Sequence, residues 1–379
     1  MYSRTTTLGL AGLLGAALLA AGCSEPVGPS RNALDAPRFA VTAGGIALDQ
    51  QNGTLNESGT VLIKGFNPTS PHVGDAIIAT FFWAGSTNII DSVTDVVTTN
   101  PYSPVGNRYI LVDYVTAGGF SMATYVATNV QHFPDAYNNA RQDSILAVRA
   151  NLSQAVTDGG VLISAYTGVN AVSALALGAH HSAVGSGSTA TTADPGAIAV
   201  GAGALTYGVS MSGLWGMNGP TGFTPLQTMS DARLKADGEY TVASAVGSAD
   251  PQWTWFFNAP SAWLATVLAL NPPLHFVFTV QPTTTLPLVA IQPPVRVAAV
   301  DAFGNTVTTF TGSVTVAIGH NGGLLTPGTL SGTKTVTAVN GVATFSDLSI
   351  DQPGNGYTLV VTATSVTGAE SAAFNIGAL

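Results

Sequence analysis

Three carboxylates gather within nine residues around Gly238: Asp231, Asp237 and Glu239. Oxygen-rich segments of this kind hold Ca2+ at the edges of sheets, but EF-hand spacing is absent, so a solvated turn competes with a calcium site. Asp237 and Glu239 lie two apart and share one face if their segment is a strand. They are the one pair suited to glycosidase-type acid and base work, which needs carboxyls roughly 5 to 10 Å apart across a cleft. His180 and His181 are neighbours, and neighbours on a strand point to opposite faces and cannot share an ion. His72, His132, His275 and His320 stand alone in the sequence, at loops or strand ends. No GxSxG elbow, P-loop, GxGxxG after a strand, or HExxH is present, and Gly208-Val209-Ser210-Met211-Ser212-Gly213 has the wrong spacing for a nucleophile elbow. No cofactor and no catalytic residue are expected. Trp253 and Trp255 alternate with Thr254 and place an aromatic row, continued by Phe257, on one face. Such a row is a sugar-stacking platform or, as aromatic packing favours, core. Trp215, flanked by glycines and followed by Pro220, falls in a loop and is the best single candidate for an exposed ligand contact.

The elements that must position these groups belong to an unusual chain. It has 379 residues, 46% hydrophobic and only 8% charged, with 11 Lys+Arg against 20 Asp+Glu. Disorder requires the reverse balance. The lysines are Lys64, Lys235 and Lys334, too few for the basic stripe that phosphate neutralisation needs, so nucleic acid is not an expected partner. A single cysteine excludes an internal disulfide, a four-thiolate zinc site and a CxxC redox pair.

That cysteine has a telling position. After Arg4 comes the apolar, small-residue run Leu8–Gly22, which reads as a secretory signal peptide over residues 1–22. Leu19-Ala20-Ala21-Gly22-Cys23 resembles the lipobox of bacterial lipoproteins. The resemblance implies that Cys23 receives a diacylglyceryl thioether, becomes the new N-terminus and is then acylated on its amine. Ala20 stands where the family more often has Leu. Ser24 after the cysteine resembles the Gram-negative default for the outer membrane. Two or more acyl chains exceed the single-chain threshold for stable anchoring. Residues 23–37 carry Pro26, Pro29 and Pro37 and no apolar period, as a tether would.

From Arg38 to Asn271, apolar runs of five to nine residues alternate with Gly, Pro, Asn and Asp clusters. This punctuation predicts strands, among them 61–66, 76–85, 108–115, 120–128, 160–169, 197–209, 239–246, 252–259 and 262–270. Short Ala-rich helices are expected at Asp143–Ala150 and Asn170–Gly178. The unit at 38–272 is therefore expected to be a large, jelly-roll-like antiparallel β-sandwich. Its Gly74-Asp75-Ala76 strand opening, Gly-containing turns and closing Trp263-Leu264-Ala265 strand resemble an all-β domain of secreted and surface-anchored bacterial proteins, over most of residues 60–272.

Beyond Pro273 the chain turns Val/Thr-rich with tight period-2 strands, as in Val295–Asp301. Seven or so strands in about a hundred residues fit an Ig-like sandwich at 273–379. The strings DAFGN, NGVATFSDL and GYTLVVTA resemble the bacterial Ig-like repeats of invasin- and intimin-type surface proteins. Tyr357 stands where a tyrosine corner belongs, with its hydroxyl on backbone.

Together these features lead to an expected all-β protein, exported and lipid-anchored to the outer membrane or cell surface. The expected role is non-catalytic binding or adhesion, with the membrane as partner through Cys23 and a glycan or surface protein as the other. The alternatives are a carbohydrate-active hydrolase or lyase in the large sandwich, and a purely structural envelope lipoprotein.

Overall fold

Ala76–Ala84 reads AIIATFFWA, an apolar run with no polar alternation, and such a strand needs cover on both faces. The computed structural model describes residues 45–67, 69–98, 102–131, 145–185, 192–213, 217–255, 261–301, 304–364 and 366–377. Cys23, the tether, His132, Trp215 and Phe257 lie outside the described residues. The regular structure of the described residues is almost all strand, in largely antiparallel sheets that pack as a sandwich.

The first sheet contains β1 (Ala47–Gly65), β2 (Ala76–Ala84), β3 (Ile90–Val97), β4 (Ser103–Pro104), β5 (Ile110–Ala117), β6 (Phe120–Ala127) and β7 (Leu146–Thr167). Its order is β4-β3-β7-β2-β6-β5, with β1 also paired to β7. The N-terminal half of the 22-residue β7 pairs with β3 and its C-terminal half with β2. Register shifts between Thr54 and Val61 interrupt the β1–β7 ladder, and bulges of this kind bend a ribbon. The bent sheet encloses a core of Ile77, Ala79, Phe81 and Trp83 from one face of β2 with Leu146, Val148 and Ala150 from the start of β7. The described part of the expected helix at Asp143–Ala150 is therefore strand. Pairing with β3 and β1 overrides the helical preference of its alanines.

The chain continues through the single turn α1 (Ser173–Ala176), β8 (Leu177–Gly185), β9 (Thr192–Ala193), β10 (Ile198–Val200), β11 (Leu205–Ser212), β12 (Met217–Asn218) and β13 (Thr224–Ser230). β14 (Lys235–Val242), β15 (Gly247–Ala249), β16 (Trp253–Trp255) and β17 (Trp263–Leu270) follow. Of the helix expected at Asn170–Gly178 only α1 forms. The expected strand 197–209 is two strands, broken by a turn in which Gly203 takes φ +75°. The second sheet runs β13-β14-β11-β17-β8. Leu205, Tyr207, Val209 and Met211 of β11, with Leu264, Leu268 and Leu270 of β17, face Ile78, Phe82, Met122, Leu162 and Tyr166 of the first sheet. The alternate residues of β11 and β17 turn outward beneath two small sheets, β12-β16-β9 and β10-β15. At the second sheet's edge, β13 carries Pro225 beside a register shift.

One hydrogen-bonded group sits inside the apolar layer between the sheets. Thr80 Oγ1 lies 2.9 Å from Tyr207 Oη and 3.1 Å from Thr124 Oγ1, all buried.

Strands from Leu274 to Ile376 pair only with one another among the described residues. Their main sheet joins Leu274–Val280 in parallel with Val366–Glu370, the remaining pairs being antiparallel. Their core holds Phe276, Val297, Phe310, Phe345, Tyr357 and Phe374. The buried Tyr357 hydroxyl donates to the Gln352 carbonyl at 3.0 Å, the contact a tyrosine corner requires.

Tyr207→Phe should cost about 1 kcal/mol in urea unfolding, because Thr80 keeps Thr124 as a partner. Tyr207→Ala should cost about 3–5 kcal/mol, because it leaves a cavity in the same layer.

Candidate functional sites

β14 presents Ala236, Gly238 and Tyr240 toward the first sheet and Asp237 and Glu239 toward the small covering sheet. Both residues are 3% exposed, and their carboxyls lie close enough to shift each other's titration. Thr228 Oγ1 donates to Asp237 Oδ1 at 2.6 Å. The Trp253 indole N–H lies close enough to favour the charged Asp237, without closing a hydrogen bond of ordinary geometry. Glu239 Oε2 is buried with no hydrogen-bond partner. Two glycines make this packing fit: a methyl group on Gly219 would collide with Glu239 Oε1, and one on Gly208 with the Trp253 ring. A cavity of about 260 Å3 touches the site, lined by Met217, Thr228, Met229, Ser230, Lys235, Ala236 and Asp237.

Burial raises the pKa of both carboxyls. Asp237 is partly compensated by Thr228, Glu239 and Trp253. Glu239, facing the Asp237 charge as well, is pushed up to about 8. At neutral pH the pair therefore holds a shared proton, as adjacent carboxyls in a poorly solvated site must. Both carboxyls are shut away from the open cleft that a glycosidase pair must flank.

Asp231 is placed elsewhere. It caps the turn between β13 and β14, where its Oδ1 accepts the N–H groups of Arg233 and Leu234, each at 2.7 Å. Its backbone carbonyl takes the Lys235 ammonium. The structure thus brings Asp237 and Glu239 together and leaves Asp231 in its own turn. Trp253 and Trp255 are both buried, packed with Met217, Ala193, Trp263 and Ala265. His180 and His181 bond different neighbours: His180 Nδ1 lies 3.1 Å from Asp113 Oδ2, and His181 reaches the Pro195 carbonyl.

A second cluster escapes sequence reasoning. His72, isolated in sequence, meets Asp49 and Asp75, and the ligand-type atoms of the three side chains lie within 4.8 Å of one another. His72 Nδ1 is 3.0 Å from Asp49 Oδ2, and the His72 backbone N–H donates to Asp49 Oδ2 at 3.0 Å and Asp75 Oδ2 at 3.1 Å. Asp49 lies at a register shift in β1, between Leu48 and Gln50. Asp75 is 3% exposed, and burial, then its contact with Asp49, pushes its carboxyl up to about 8. The His-x-x-Asp spacing just before β2 was the available signal; Asp49 comes from another strand 23 residues before His72.

No protein-family model matches the chain, and no curated protein or solved structure does either.

Glu239 titrates near 4.5 when unfolded and near 8 when folded. Its contribution to stability is therefore complete below about 4.5, falls across the interval, and is lost above about 8. Urea midpoints at pH 5, 7 and 9 should fall less in Glu239→Gln than in the parent, the amide still donating to Asp237.

Proposed function

We propose that the chain is an exported lipoprotein, held at the outer membrane or cell surface through acylated Cys23, whose large sandwich works by binding rather than catalysis. The observation that carries the non-catalytic part is the burial of Asp237 and Glu239, each 3% exposed beneath a covering sheet. Leu19-Ala20-Ala21-Gly22-Cys23 after an apolar export run supports the anchor. Among the described residues no helix is long and apolar enough to cross a membrane. The acyl chains would hold the protein, since an acidic chain gains nothing from anionic headgroups. A glycan or a surface protein is the partner class that this reading puts forward. The segment beyond Pro273, with its Ig-like strand spacing and Tyr357 corner, supports a role as spacer or second contact.

Metabolic labelling with radioactive palmitate should mark the full chain and not Cys23→Ala; unlabelled parent protein would overturn the anchor. Glycan arrays and pull-downs on whole cells should yield a saturable partner and no turnover of a polysaccharide panel. Turnover abolished by Asp237→Asn/Glu239→Gln would overturn the binding reading in favour of a carbohydrate-active enzyme.

A further inference from the structure

We propose that Asp49, His72 and Asp75 form a binding site for a divalent transition-metal ion, with Zn2+ the best match. This inference stands apart from the reading of the sandwich as a binding module. The donor set is one imidazole and two carboxylates. An imidazole nitrogen among carboxylate oxygens suits Zn2+ over Ca2+ or Mg2+, which take oxygen ligands.

One ligand spacing is close to that of a tetrahedral site. Two ligand atoms on one tetrahedral Zn2+, each about 2.0 to 2.1 Å from the ion, lie about 3.3 Å apart. Asp49 Oδ2 and His72 Nδ1 are 3.0 Å apart, so opening by a few tenths of an ångström admits the ion. The His72 side chain is 60% exposed, so the cluster is reached from solvent.

Asp75 supplies a separate argument. Its carboxyl is buried, opens into the cluster, and faces another carboxylate. Among the described residues no lysine or arginine pairs with Asp49 or Asp75. A bound cation would match the charges of Asp49 and Asp75.

The site also has a structural reason to exist. Leu48 of β1 and Ala76 of β2 both pair with Tyr166 of β7, from opposite sides. An ion held by Asp49, His72 and Asp75 would clamp two strands that are not neighbours across the end of the strand between them.

The test uses the full chain, stripped with EDTA and dialysed, titrated calorimetrically with ZnCl2 and with CaCl2, and read with Co2+ for visible d–d absorption. Saturable Zn2+ binding should appear, raise the thermal midpoint, and exceed Ca2+ affinity by at least about tenfold. Because loss of even an outer-shell partner costs roughly 10–100-fold, His72→Ala and Asp75→Asn should each weaken binding by at least about tenfold. His180→Ala, at the other His–Asp pair, should leave it unchanged. Asp75→Asn tests a buried position; His72→Ala alters an exposed side chain and keeps the test valid if the former fails to fold. No saturable binding, binding indifferent to His72→Ala and Asp49→Asn, or equal affinity for Ca2+ would each overturn the proposal.

Discussion

Burial of the central strands on both faces is the constraint that governs this molecule. β2, β11 and β17 have protein above and below, so a polar side chain on any of them needs a partner inside the protein, which Thr206 Oγ1 and Trp263 Nε1 lack. Thr80, Tyr207 and Thr124 solve this across the layer between the two large sheets. On the other side of the second sheet, Ser210 Oγ turns to the Met217 sulfur at 3.6 Å, and Asp237 to Thr228. The low charge content follows from the same cause, since a chain of layered sheets has few positions where an ion stays hydrated.

Much of this architecture was legible because period-2 alternation is a local signal. The apolar runs at 76–85, 120–128 and 262–270 became strands nearly to the residue. Alternation also placed Asp237 with Glu239, and Trp253 with Trp255, on common faces. The failures have specific causes. Leu146–Ala150 carries alanines that suit a helix, and only its partners β1 and β3 make it strand. The covering strands at 192–193 and 217–218 are too short for any pattern to register, while the third, 253–255, falls within the expected strand 252–259. Asp231 and Glu239 are close in sequence but separated by a hairpin turn that uses Asp231 for its own backbone. Asp49, His72 and Asp75 meet through the pairing of β1 and β2 with β7, which no spacing within the chain encodes.

The two carboxyl clusters differ in a way that matters for chemistry. Asp237 and Glu239 are enclosed by Thr228, Trp253 and Gly219, and their shared proton makes a quiet buried pair. Asp95, 1% exposed, is a third enclosed carboxyl, gripped by the Gly106 and Asn107 N–H groups and the Tyr109 hydroxyl. Asp49 and His72 instead lie at the rim of the first sheet, where one member reaches solvent. Enclosure disfavours the charged form in the first two cases, and access favours exchange with solution in the last.

β13 ends the second sheet with Pro225, which has no N–H, beside an irregular register. A bare, regular edge would offer a template for another strand, and proteins blunt such edges with prolines and bulges. With Pro225 and the shifted register, the margin at β13 lacks the unbroken row of donors on which a strand from a second copy could zip.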